Sequence, residues 1–216
     1  MRALLGSVAL AGLGVAMGPV QAPPAAAELA RQLQARYSTV EDFKAQFTHT
    51  FSTPNLRAKL VEHGDVSIKK PGRMRWTYTS PEKKEFVGDG RKYYSYVAAD
   101  QIVYVSDLPT GNEVSTAVLF LTGKGDLVRD FTASLPPNPP QGEWQLALVP
   151  KTPQTDFVSL LLSLEPHSLR LLGLASLDDQ GGTSAFQFSS LHENVGLSDK
   201  TFEFTPPRGA EVKIIK

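Results

Sequence analysis

Residues 69–96, KKPGRMRWTYTSPEKKEFVGDGRKYYSY, constrain the fold more than any other stretch of this chain. Apolar side chains alternate there with arginine and threonine, namely Met74, Trp76 and Tyr78. This period of two is typical of a strand with one apolar face. Asp89-Gly90 is a strong hairpin signal between two further short runs. The stretch therefore predicts three antiparallel strands whose aromatic surface is either half of a packed core or the wall of an apolar cavity.

Two neighbouring runs extend this aromatic surface. In the third strand, residues 92–97, Tyr94 and Tyr96 share one face, and we expect that face to join the surface of Trp76. Residues 43–52 alternate in the same way and place Phe47 on their apolar face. His49 lies on that face too, where a hydrogen-bonded structural histidine is a better interpretation than a catalytic one.

The whole pattern predicts an α+β fold built on one antiparallel sheet. About ten or eleven strands alternate with short turns, and two or three short helices accompany them. So many strands should curl, and we predict an incomplete, unclosed barrel with helices on its concave face. One of these helices is predicted over residues 112–125, with an apolar side of Val114, Val118, Leu119 and Leu121, and with Phe120 on another side.

The amino terminus has the pattern of a secretory signal peptide. Arg2 precedes the apolar run 3–17, and Ala25-Ala26-Ala27 offers a cleavage site. We predict that residues 1–27 are removed and that residues 28–216 form a single exported domain. The alternative is an uncleaved membrane anchor, for which the run is short and rich in glycine and alanine. The chain contains no cysteine, so the domain depends on its core rather than on disulfides.

The sequence carries few signals of chemistry. The chain has 22 basic and 22 acidic residues, and this balance argues against nucleic acid as a partner. The four histidines lie on separate segments without metal-ligand spacing, and no G-x-S-x-G motif is present. We therefore predict no metal, no cofactor and no catalytic residue. An acid–base pair that is formed only in space stays open, since sequence does not reveal it. Inward-facing aromatic residues favour binding over turnover.

Four segments give the chain a resemblance to a known family. They are Phe43–Thr48 (FKAQFT), Lys70–Trp76 (KPGRMRW), Leu148–Lys151 (LVPK) and Phe202–Gly209 (FEFTPPRG). In their order and spacing they resemble the periplasmic lipoprotein carrier proteins of the LolA family, and the match covers nearly the whole exported domain. The resemblance implies a soluble, non-enzymatic periplasmic carrier. Such a carrier takes acylated lipoproteins from an inner-membrane ABC transporter to an outer-membrane receptor, where one is present.

The resemblance also implies site residues, and we expect the carrier to be a monomer. The cavity lining is expected at Phe47, Met74, Trp76, Tyr78, Tyr94, Tyr96, Leu119 and Phe120. A register slip of one residue would exchange the two faces of any of these strands. The lid is expected to include Val118 and Leu121. The family commonly has a lid-holding arginine where this chain has Lys70, which keeps the charge and loses the planar fork of donors. The alternative for Lys70 is a solvated residue at a strand end.

Two other functions stay open at this stage. The first is a regulator of the same fold that senses lipids or lipoproteins. The second is a hydrolase of an envelope lipid, for which no residue is a clear candidate from the sequence.

Overall fold

The structure is a computed structural model that describes residues 22–55, 58–107, 121–123, 125–154 and 157–215. Its strands are β1 (Asp42–Ser52), β2 (Leu60–Lys69), β3 (Arg73–Ser80), β4 (Lys84–Asp89), β5 (Lys92–Val97), β6 (Ile102–Asp107), β7 (Phe131–Ser134), β8 (Trp144–Pro150), β9 (Ser159–Leu164), β10 (Leu171–Leu177), β11 (Thr183–Glu193) and β12 (Glu211–Ile214). Its helices are α1 (Ala26–Ser38) and α2 (Leu127–Asp130), with a 3₁₀ turn at Asp199–Phe202.

All twelve described strands form one sheet, in the order β12-β6-β5-β4-β3-β2-β1-β11-β10-β9-β8-β7. Every pair is antiparallel except β12 with β6, which is parallel. The first and last strands of this order, β12 and β7, are its two edges, so the curved sheet does not close. The predicted unclosed antiparallel barrel with an α+β composition is confirmed.

The carboxy-terminal part of the sheet differs from the prediction. β7 and β12, of four residues each, were not predicted. The segment Asp199–Phe202 forms the 3₁₀ turn rather than a strand. The guanidinium of Arg75 donates to the carbonyl oxygens of Thr201, at 2.8 Å, and Glu203, at 3.4 Å. Those carbonyls therefore bond a side chain of β3 rather than a neighbouring strand.

The main core lies on the concave side of the sheet. α1 buries Leu29, Leu33 and Tyr37, whose four-residue spacing places them on one side of a helix. These residues belong to the same buried cluster as Met74 and Trp76 of β3. α1 packs beside α2 and over β7 and β8, so it covers one end of the concave face.

The convex side carries the carboxy-terminal segment. Val87, Val103 and Phe202 are buried there but lie outside the main core cluster. The ring of Tyr94 stacks on Phe204, with ring centroids 5.2 Å apart. The last strand, β12, follows this segment and extends the sheet beyond β6.

Two predictions concern parts of the chain outside the described residues. The helix predicted over 112–125 lies outside them except for residues 121–123 and 125, and the proposed signal peptide does so up to residue 21. Within the described ranges, no helix has the length and apolar character needed to cross a membrane.

Candidate functional site

A cavity of about 290 Å³ opens on the concave face of the sheet, between β3–β5 on one side and β10–β11 on the other. Eight of its ten lining side chains are apolar or aromatic, and the two tyrosines among them and two serines add hydroxyls. The lining consists of Met74, Trp76, Tyr78, Phe86, Tyr93, Leu121, Leu174, Ser176, Ser184 and Phe186. Met74, Trp76 and Tyr78, which alternate with polar residues along β3, all face this cavity.

The structure does not bring Tyr94 and Tyr96 to this cavity, and their predicted face is wrong. Trp76 lies opposite Phe86 in the pairing of β3 with β4. In the next pairing, Tyr94 and Tyr96 lie opposite residues of β4 that flank Phe86 and point to the convex side. Tyr93 takes the concave position instead and lines the cavity. The hairpin register therefore differs by one residue from the phase that the tyrosine pattern suggested.

Phe47 lies beneath the cavity wall rather than on its surface. Its ring packs edge-on against Trp76 and Tyr78, with centroid distances of 5.2 and 4.9 Å. The residue opposite Phe47 on β2 is Gly64, and a Cβ there would lie 2.6 Å from the Phe47 ring and 2.2 Å from the carbonyl oxygen of Thr77. Only glycine leaves room for this ring, so the pair fixes the aromatic residues behind the cavity.

The far wall was missed by sequence reasoning. Phe186 of β11 packs against Trp76, with a centroid distance of 5.0 Å, although the two residues lie far apart in the sequence. Leu174 lies opposite Phe186 on β10. The alternation of Ser184, Phe186 and Phe188 was a usable signal of an inward face, but nothing in the sequence placed that face across from β3.

A chain of polar contacts crosses the concave face beside the apolar lining. Lys84 Nζ donates to Glu62 Oε1 at 2.6 Å. Glu62 Oε2 lies 3.1 Å from His49 Nδ1, and His49 Nε2 lies 2.8 Å from Ser184 Oγ. The ring of His49 also stacks on Phe186 at 4.2 Å. Burial lowers the pKa of His49 below its usual value, against the opposing effect of Glu62, so the neutral imidazole is favoured.

Ser184, His49 and Glu62 contact one another in the order of a serine hydrolase triad. A triad also needs hydrogen-bond donors aimed at the developing oxyanion. Ser184 lies within β11, opposite Phe51 of β1 and Ser176 of β10, where backbone N–H groups serve the sheet ladder. The predicted structural histidine is therefore the better description of His49, and the contacts suit binding more than acyl transfer.

The structure describes one end of the predicted lid, residues 121–123, which is bound to α1 and to the turn between β2 and β3. Tyr37 Oη donates to the carbonyl oxygen of Leu121 at 2.9 Å, and the N–H of Gly72 donates to that of Thr122 at 3.1 Å. Leu121 lines the cavity. Val118, Leu119 and Phe120, which were predicted to belong to the lid or the lining, lie outside the described residues.

Lys70 contacts both α1 and this lid end. Its Nζ donates to the carbonyl oxygen of Tyr37 and lies 3.7 Å from the centroid of the Tyr37 ring. Its aliphatic stem runs beside Gly123, where an added Cβ would lie 2.7 Å from Lys70 Cδ. Burial lowers the pKa of Lys70 to about 8. The side chain is therefore partly buried between elements rather than fully solvated at a strand end.

No set of three or more histidine, aspartate or glutamate side chains that could hold a metal ion occurs within the part of the chain that the structure describes. The polar groups of the concave face are instead engaged with one another.

Comparisons with known proteins agree with this architecture. The outer membrane lipoprotein carrier protein LolA family matches residues 38–205. The outer-membrane lipoprotein carrier protein of Dechloromonas aromatica is 30% identical over 84% of this chain and 85% of its own length. That of Nitrosomonas europaea is 29% identical over 93% and 94%. The crystal structure of an uncharacterized conserved protein from Thermus thermophilus has the same fold, with a TM-score of 0.55 at 14% identity, over 86% of this chain and 99% of that one. The chain belongs to the outer membrane lipoprotein carrier protein LolA family.

Proposed function

We propose that this protein carries lipoproteins destined for the outer membrane and holds their acyl chains in the concave cavity. The observation that carries the proposal is the cavity itself, whose wall of Met74, Trp76, Phe86, Tyr93 and Phe186 is apolar and aromatic. Such a lining binds hydrocarbon and offers few groups for chemistry. The family is one of carriers, and the proposed role requires no chemical reaction.

A carrier must release the cargo that it binds, and the free energy of acyl binding makes release the difficult step. Burying a methylene group yields about 0.8 kcal/mol, so a chain of roughly 16 carbons yields about 12 kcal/mol. Binding of that strength corresponds to a nanomolar dissociation constant and slow release. A carrier therefore benefits from a closed empty state that offsets part of the gain. The cavity of about 290 Å³ lies just below the usual range for ligand sites, about 300–1,000 Å³, which fits a contracted empty state.

We propose that Val118 and Leu121 belong to the lid, with Lys70 as its latch, and that Leu119 and Phe120 line the cavity. The contact of the Lys70 stem with Gly123 and the bond of its Nζ to Tyr37 support this role. In this proposal the lysine joins α1 to the lid end, in place of the arginine common in the family.

The cellular setting belongs to the same proposal. Residues 1–27 are a signal peptide that is cleaved on export, and residues 28–216 are the carrier domain, which works as a monomer in the periplasm. An inner-membrane ABC transporter supplies the acylated lipoprotein, and an outer-membrane receptor accepts it where one is present.

A release assay tests the carrier function. Inner-membrane vesicles that contain the active transporter and a labelled lipoprotein are mixed with the purified domain, and the soluble fraction is analysed by size exclusion. We expect the lipoprotein to leave the membrane in a complex with the carrier. A cargo whose acylated cysteine is replaced by serine serves as the control and should form no complex. Retention of all acylated cargo in the membrane fraction, with the transporter active, would refute the function.

A further inference from the structure

We propose that a band of polar side chains across the concave face is a subsite for the uncharged polar linkage of the ligand, the ester and hydroxyl groups of an acylated glyceryl unit. The band crosses neighbouring strands from β4 to β10. Its members are Lys84, Tyr78, Glu62, His49, Ser184 and Ser176, and we call them the polar band. The inference rests on the proposed function, because it assigns the polar end of a ligand whose acyl chain occupies the cavity.

The position of the polar band is the first support for this subsite. Tyr78, Ser176 and Ser184 belong both to the band and to the lining of the cavity. The other seven lining residues are Met, Trp, Phe, Leu and one further tyrosine, Tyr93. A ligand that fills the apolar part therefore has three neighbouring hydroxyls at its polar end. Ser176 and Ser184 lie directly opposite each other in the pairing of β10 with β11.

The charge of the polar band is balanced internally. The carboxylate of Glu62, whose side chain is 5% exposed, contacts Lys84 at 2.6 Å and His49 at 3.1 Å. Lys84 thus already has a counter-ion, and the neutral His49 adds no charge. An anionic head group here would have to be buried without a cation of its own, which is costly. A neutral carbonyl or hydroxyl carries no such penalty.

The hydroxyls can serve as the donors and acceptors that such a linkage needs. His49 Nδ1 directs its proton to Glu62, so Nε2 accepts the proton of Ser184. The oxygen of Ser184 keeps its lone pairs for a ligand hydroxyl. Tyr78 Oη lies 3.5 Å from His49 Nδ1, a distance at the limit of a hydrogen bond, and its O–H can turn to a ligand carbonyl. Burial raises the pKa of Tyr78 well above its usual value, which keeps that proton in place.

Two amphiphiles with the same chain and different heads test the subsite: monolaurin, a neutral glyceryl ester, and laurate, an anion. Each displaces a fluorescent acyl probe from the protein at neutral pH. We expect the wild type to bind monolaurin at least about tenfold more tightly than laurate, a difference of about 1.4 kcal/mol. Glu62→Gln removes the buried counter-ion of Lys84 and leaves it only the more distant and exposed carboxylate of Glu82, at 3.8 Å. The preference should therefore shift toward laurate by about tenfold.

Two variants complete the charge test. The double change Glu62→Gln with Lys84→Gln restores a neutral band, and the preference for monolaurin should return. Glu85→Gln is the matched control, because Glu85 pairs with Arg75 at 2.8 Å on the convex side of the same strand as Lys84. This control should leave the ratio of the two affinities unchanged.

Ser184→Ala gives an independent test if the Glu62 variant does not fold. We expect this change to weaken monolaurin about fivefold, through the loss of one neutral hydrogen bond of about 1 kcal/mol, and to leave laurate unchanged. The control is Ser52→Ala, which removes a hydroxyl that bonds Thr183 at 3.2 Å across the same pair of strands.

The outcomes separate the two levels of the proposal. If the wild type binds neither amphiphile nor the probe, the proposed acyl-binding function fails. If it binds them, but Glu62→Gln and Ser184→Ala leave the affinity ratio unchanged, the subsite fails and acyl binding stands. Release of lauric acid from monolaurin by the wild type, lost in Ser184→Ala, would overturn the binding role in favour of hydrolysis.

Discussion

Tyr93 and Tyr94 are adjacent in β5 and lie on opposite sides of the sheet, so replacing each by asparagine gives a matched test of the cavity. Tyr93 lines the cavity, and burial raises its pKa to about 12. Tyr94 stacks on Phe204 of the convex side and donates to Asp89 Oδ2 at 3.2 Å. The two substitutions are chemically identical, and only the side of the sheet differs.

The expected effect on binding follows from what an acyl chain would cover. In Tyr93→Asn, a bound chain lies against an amide that hydrocarbon cannot pair, and burying such a group costs about 1–3 kcal/mol in proteins. At about 2 kcal/mol, the dissociation constant of an acyl ligand rises about thirtyfold. Tyr94→Asn should change it by less than about twofold, the effect of an ordinary surface substitution of about 0.5 kcal/mol.

The free energy of unfolding provides a second measurement, in which Tyr94→Asn should have an effect although its binding is normal. Tyr94→Asn removes the hydrogen bond to Asp89 and the ring stack with Phe204, and the aromatic pair alone contributes about 1 kcal/mol. Urea unfolding should therefore show a loss of at least that size in a variant that still binds normally. Binding is measured by displacement of a fluorescent acyl probe with monolaurin. The assignment of the two faces would be refuted if Tyr94→Asn weakened binding as much as Tyr93→Asn, or if Tyr93→Asn had no effect.

Three further predictions concern stability. Gly64→Ala should lower the free energy of unfolding by about 3 kcal/mol, the upper range for overpacking, because the added Cβ would collide with Thr77 and Phe47. Denaturant titration measures this loss, and a value below about 0.5 kcal/mol would contradict the prediction. Asp42→Asn should lower the free energy of unfolding by about 2 kcal/mol, since the buried carboxylate accepts two backbone N–H bonds of 2.8 Å from the loop after β11. An unchanged midpoint in the same denaturant titration would count against this prediction. Because the pKa of Lys70 falls from 10.5 to about 8 on folding, the unfolded chain binds more protons between those values. The wild type should therefore gain stability relative to Lys70→Met as the pH rises through that window, and a flat or falling difference would refute the burial of this amine.

Local alternation was sufficient to predict the near wall of the cavity. Met74, Trp76 and Tyr78 have one polar neighbour between each pair, so only one phase of the strand buries them together. The open antiparallel sheet followed from the number of such runs and from their short turns. Neither inference needed contacts between distant residues.

The phase of β5 was beyond a pattern argument. Its sequence, Lys-Tyr-Tyr-Ser-Tyr-Val, has tyrosine at both of two consecutive positions, so either face of the strand qualifies as aromatic. The choice is made by the hairpin register, in which Tyr93 lies opposite Gly88 and Ser95 opposite Phe86. The pairing of β5 with β4 therefore decides which tyrosine of β5 lies on the concave side.

The polar band was out of reach for a different reason. His49 and Ser184 are 135 positions apart and meet only because β1 pairs with β11. The alternation of residues 43–52 placed His49 on the correct face, but its partner Glu62, and Lys84 which pairs with Glu62, lie on two other strands. Sequence patterns report the face of a residue, whereas the chemistry of a site depends on which strands are neighbours.

The two ends of the concave face differ in how they are held, and this difference suggests where the cavity opens. The aromatic wall is fixed by interlocked rings and by the steric fit of Phe47 over Gly64, which tolerate little movement. The lid end is held by the bonds of Tyr37 to Leu121 and of Gly72 to Thr122, and by the burial of the Leu121 side chain in the main core. Each bond contributes about 1 kcal/mol net and the buried leucine about 2–3 kcal/mol, so releasing them costs less than the burial of an acyl chain gains. We therefore infer that entry of cargo displaces residues 121–123 and leaves the wall in place, so that the acyl chain itself supplies the energy of opening.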